Sequence, residues 1–134
     1  MHRHALIAFA AANLVSTSAF AADPVVKTTH GPIAGRQADG VDAFKGVPFA
    51  APPVGELRWR APEPASPWSG LRPALANGSQ CIQYPSPLGG AEGKAGQPAG
   101  SEDCLYLNLW APHFADGKVP TGDARLPVMV WIHG

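Results

Sequence analysis

The chain has 134 residues, room for at most one domain of ordinary size. Its 10 Lys and Arg balance 10 Asp and Glu, and no polybasic tract is present, so nucleic acid is not expected as a partner. Fifteen Gly and fifteen Pro approach the level of low-complexity disorder, yet four Trp, five Phe and 46% apolar residues need something to pack on; a loop-rich globular segment with few helices is predicted.

Residues 1–21 read as a secretory signal peptide. His2, Arg3 and His4 form the basic start, Ala5 to Val15 is apolar apart from Asn13, and Ala19-Phe20-Ala21 is an A-x-A cleavage site. Cleavage is expected after Ala21, leaving 22–134 as a secreted or periplasmic chain. The apolar run is shorter than the ~20 residues of a membrane span, so no span is expected. An N-terminal core helix is the bland alternative. In an exported chain the two cysteines, Cys81 and Cys104, read as a disulfide, which could contribute ~3 kcal/mol in the chain-entropy picture. Neither has a C-x-x-C partner, so a zinc site is not expected.

Val25–Thr29 is β-branched, His30-Gly31-Pro32 is a turn signal, and Ile33–Arg36 leads away as a second strand. A third strand, Val41–Val47, follows the Asp39-Gly40 turn, which completes a small antiparallel meander. From Pro48 to Gly70 six prolines forbid regular structure. Phe49, Trp59 and Trp68 lie among them, and the segment is expected to be extended and pinned by those rings.

Asn77-Gly78-Ser79 is a formal glycosylation sequon that also reads as a turn. The glycine-rich stretch between the cysteines lacks apolar periodicity and is expected to be a mobile surface loop. Leu105, Leu107 and Leu109 alternate with Tyr106, Asn108 and Trp110 as a strand requires. Val128–Ile132 is continuously apolar, the pattern of a central strand covered on both faces, yet no helix of ~10 residues follows the signal peptide to cover it.

Three segments, "FKGVPFAAPPVGELRWRAPEP" with "PWSG", then "SEDCLYLNLWAP", then "LPVMVWIHG", resemble the N-terminal part of the type-B carboxylesterase/lipase family, which includes the cholinesterases. The resemblance runs from about Val25 to Gly134 and implies an α/β-hydrolase fold. This chain would then hold the small antiparallel meander and the first strands of the central sheet of a truncated domain at 22–134. It implies hydrolysis of a small-molecule carboxylic ester by a serine nucleophile, a histidine base and an acidic residue, with no cofactor or metal.

The family's nucleophile sits in G-x-S-x-G, which is absent here; Ser79 and Ser101 lie on no strand-to-helix turn. No catalytic residue is therefore expected in this chain, and none of its own ester turnover. His133 and Gly134 mark the approach to the oxyanion hole, whose donor glycines would follow. His30 and His113 read as solvated surface residues. The resemblance further implies that Cys104 of "EDCLYLN" pairs with the upstream Cys81. It also implies that Arg58 meets Glu102 as a bidentate salt bridge tying the proline-rich segment to the sheet. A non-catalytic adhesion or binding protein on the same fold is the alternative reading.

Overall fold

A computed structural model describes residues 23–87, 91–114 and 118–132. The signal-peptide reading of 1–21 and the oxyanion-approach residues His133 and Gly134 lie outside these residues.

Six strands form two three-stranded sheets. In the first, β1 (Val25–Lys27) runs antiparallel to β2 (Pro32–Ala34), and β5 (Arg72–Pro73) lies parallel on the other side of β2. In the second, β3 (Arg36–Ala38), β4 (Val41–Pro48) and β6 (Tyr106–Pro112) are antiparallel, with β4 in the middle. The sequence meander is thus split: strands expected to make one sheet are shared between two, because β2 ends at Ala34 and β3 starts a new ladder at Arg36. The β3–β4 hairpin closes on Asp39 and Gly40, with φ of 51° and 77°. Two successive positive φ values match the twist of the strands, and Asp and Gly tolerate them.

A bulge shapes the middle of β4. The register runs from Phe44 opposite Leu109 to Val47 opposite Leu107, so Lys45 and Gly46 together oppose Asn108. Such an extra residue leaves backbone donors unpaired by the ladder. Here Lys45 N–H donates to Ala74 O at 2.8 Å and Gly46 N–H to Asn108 Oδ1 at 2.9 Å. Gly46 adopts φ 64°, and a Cβ there would come within 2.5 Å of Ala76 O, so only glycine fits. The bulge therefore docks the segment after β5 against the second sheet.

Ile33, Phe44 and Ala74 form the core, one from β2, one from β4 and one just past β5; Val47 and Trp68 pack against it. Of the three aromatics expected to pin the proline-rich segment, only Trp68 does so, and its indole N–H donates to Pro32 O at 3.0 Å. Phe49 is half-exposed and Trp59 fully exposed at φ 60°, a backbone conformation that bulky residues rarely adopt. The segment is otherwise irregular, as its prolines require, with one 3₁₀ turn at Gly55–Leu57.

Val128–Ile132 departs from expectation. It forms no ladder among the described residues, where a strand was expected, while its residues are 75–92% exposed, in line with the absence of a covering helix from the sequence. A strand exists only through hydrogen bonds to a neighbour, and none is in place here.

Candidate functional site

Three consecutive residues, Glu102, Asp103 and Cys104, each fasten something different. Glu102 Oε1 accepts from Arg58 Nη2, which holds the end of the 3₁₀ turn to the segment that leads into β6. The contact uses one nitrogen and one oxygen, not the two-point fork expected. With side chains 56% and 33% exposed, solvent screening leaves the pair under ~1 kcal/mol. It positions the segment more than it stabilises it.

Asp103 accepts a hydrogen bond from the Tyr106 phenol. That bond, then burial and the carboxylate's charge, raise the phenol above the ordinary tyrosine value, against a smaller opposing pull from Arg72. Asp103 N–H donates to Ser101 Oγ at 3.1 Å.

Cys104 is bonded to Cys81 with Cα atoms 5.0 Å apart, an ordinary separation for a disulfide. Beside it, Ser101 N–H donates to Gln80 O at 2.8 Å, and Gln83 and Ala99 exchange backbone bonds of 3.0 and 2.9 Å. The glycine-rich loop therefore has a laddered neck, and Ala91 within it is buried.

None of this is a catalytic constellation. Ser79 is exposed and Ser101 Oγ accepts from Asp103 N–H; neither is hydrogen-bonded to a histidine among the described residues. His30 stacks on Trp68, with ring centroids 6.3 Å apart, and Arg72 lies over the same indole at 5.1 Å. His113 is a surface residue, as expected, but it has a partner that was not expected. Its Nδ1 lies 2.8 Å from Oδ1 of the buried Asp42, and its backbone N–H donates to Gly40 O. The pair clasps the end of β6 to the start of β4.

A sequence signal for this pair existed. Asp42 shares the inward face of β4 with Phe44, and an inward carboxylate needs a partner. Its partner lies 71 residues away, beyond any local pattern.

An open cleft of about 370 Å³ lies between β4, β5 and β6, lined by Lys45, Gly46, Arg72, Asn77, Gly78 and Tyr106 among others. Among the described residues no group of three or more His, Cys, Asp or Glu could hold a metal ion, and no helix is long and apolar enough to cross a membrane. The arrangement is a scaffold. Its "EDC" motif fastens chain segments together.

The sequence pattern of the Carboxylesterase family matches residues 22–134. Phenmedipham hydrolase of Pseudarthrobacter oxydans is 46% identical over 112 residues, covering 83% of this chain and 21% of its own. Para-nitrobenzyl esterase of Bacillus subtilis is 44% identical over 110 residues, covering 82% and 21%. A solved structure of a PNB esterase superposes with a TM-score of 0.60 at 38% identity, over 74% of this chain and 20% of that one. The Geobacillus stearothermophilus carboxylesterase gives 0.53 at 42% identity, over 71% and 17%. The chain thus spans about a fifth of the length of the curated relatives it matches. With the fold, the "EDC" fastenings and these likenesses together, the chain belongs to the carboxylesterase family and is a strand-rich portion of its α/β-hydrolase fold.

Proposed function

We propose that this chain is the N-terminal part of an exported carboxylic ester hydrolase and supplies scaffold to the active site. The observation that carries this reading is the family match along 22–134, with the disulfide and the Arg58–Glu102 contact at the "EDC" motif. The substrate class is a small-molecule carboxylic ester. Nucleophile, base and oxyanion glycines come from sequence beyond Gly134, and His133-Gly134 leads into that oxyanion hole. A serine hydrolase loses most of its rate enhancement when its nucleophile is removed, so residues 22–134 alone turn over no ester. Residues 1–21 direct export and are removed after Ala21, to the periplasm or the medium. The disulfide supports that compartment, since such bonds persist where the surroundings are oxidising.

The test has three arms. Residues 22–134 are assayed on a short-chain nitrophenyl ester, the mature N-terminus is sequenced after export, and the locus is read past Gly134. No turnover by 22–134, an N-terminus at Ala22 and a downstream Gly-x-Ser-x-Gly are expected. A downstream sequence with another residue in place of that serine overturns the enzyme reading in favour of a binding protein.

A further inference from the structure

Asn77-Gly78 is left unexplained by the scaffold role, and its surroundings give it chemistry of its own. The pair lies in irregular chain between β5 and Cys81, with Asn77 exposed and Gly78 half-buried against the Tyr106 ring. Gly78 N–H donates to no described residue. The Asn77 side chain is held from one side only: Asn108 Nδ2 donates to Asn77 Oδ1 at 3.2 Å. Asn108 is itself fixed, because its Oδ1 accepts the bulge N–H of Gly46 at 2.9 Å and so turns its NH₂ toward Asn77. The result is a polarised Asn77 amide carbonyl beside an unengaged backbone nitrogen.

We propose that Asn77 is a site of self-modification, a deamidation through a cyclic imide that Asn108 assists. Gly78 N loses its proton to water and attacks Cγ of Asn77, forming an N–Cγ bond. Negative charge develops on Oδ1, where the Asn108 N–H already points, the arrangement that stabilises an oxyanion. Oδ1 then re-forms its carbonyl as Nδ2 takes a proton back from water, the Cγ–Nδ2 bond breaks and ammonia leaves. Water opens the five-membered imide at either carbonyl, giving aspartate or isoaspartate. The net change is addition of one water and loss of one ammonia, with no oxidant or cofactor.

The product alters this part of the fold. A neutral amide becomes a carboxylate in the cleft that Lys45 and Arg72 also line. Isoaspartate adds a methylene to the backbone where space is shortest: a Cβ on Gly46 would meet Ala76 O at 2.5 Å and Gly78 N at 3.0 Å. The segment therefore moves off the bulge. The amide needed by the Asn77-Gly78-Ser79 sequon is also consumed, so modification by a glycan and deamidation exclude each other.

The experiment incubates the full chain and its Asn108→Ala variant at neutral pH, each in buffer and in concentrated urea. Acid and isoaspartate at position 77 are followed by peptide mass spectrometry. Accumulation at Asn77 in buffer, slowed severalfold by Asn108→Ala in buffer and unchanged by it in urea, is the expected result. No conversion in buffer, or conversion in buffer at an equal or higher rate in the variant, overturns the proposal. The outcome does not depend on whether the parent protein hydrolyses esters.

Discussion

Val128–Ile132 offers the strongest perturbation in the molecule. Five successive apolar residues stand 75–92% exposed. Full burial of a side chain of this size is worth ~1.5–3 kcal/mol, so the segment leaves roughly 8 kcal/mol of hydrophobic free energy unrealised. It also has the composition of a self-pairing strand: high β-propensity, no charge and no proline within it. Two copies meeting through it would gain more than the lower estimates, ~4 kcal/mol, of the freedom lost on association.

The chain 22–134 is therefore expected to self-associate at micromolar concentration and to bind a hydrophobic dye. Val130→Asp puts a charge at the centre of the segment, where pairing would bury it without a partner. That variant should raise the concentration at which oligomers appear at least ~10-fold, equivalent to ~1.4 kcal/mol. Sedimentation velocity across a dilution series, with dye fluorescence in parallel, measures both effects. A wild-type chain that stays monomeric and dye-free at ~50 μM, or a variant that associates equally, refutes the reasoning.

Three further outcomes are expected. Replacing both Cys81 and Cys104 by Ser should lower stability by at most ~3 kcal/mol, read from urea midpoints, and by less if the laddered neck already holds the loop ends. Arg58→Ala should cost under ~1 kcal/mol by the same assay while increasing protease cleavage near Gly55–Leu57; a loss of several kcal/mol would show a pair shielded from solvent. The Tyr106 phenol is raised above its ordinary value of 10.0, so its protonated form contributes stability fully below about pH 10, and that stability is lost as pH climbs through the folded value. Tyr106→Phe should abolish this alkaline decline, and an unchanged decline in the variant would discount the Asp103 bond.

What the sequence disclosed was local, and what it hid was pairing. The turn at Asp39-Gly40, the broken backbone from Pro48 to Gly70 and the alternation around Leu105–Trp110 all follow from the conformational limits of nearby residues. The assignment of β2 and β3 to different sheets does not, since it depends on β5 arriving beside β2 and β6 beside β4. The same holds for the site. Cys81–Cys104 and Arg58–Glu102 were legible through motifs, whereas His113–Asp42 needed the β4–β6 register, and Asn108 needed the bulge. Val128–Ile132 reads as a buried strand because pattern records the surroundings a segment is built for. Its exposure records the neighbours present.

The pairing of β4 with β6 sets a clock on folding. A chain that crosses a membrane from its N-terminus presents Val41–Pro48 well before Tyr106–Pro112. Until those later residues arrive, β4 has only the short β3 for company and one open side. Roughly 60 residues must then be looped out, at an entropic cost that grows with the logarithm of their number. Cys104 precedes β6 by two positions. If its bond to Cys81 forms first, the ring it closes drops out of that search and the effective span shrinks to roughly 35 residues, lowering the cost by about 0.5 kcal/mol. That is about a twofold gain in encounter rate. Oxidation during translocation would thus shorten the interval in which β4 can pair with a neighbouring nascent chain.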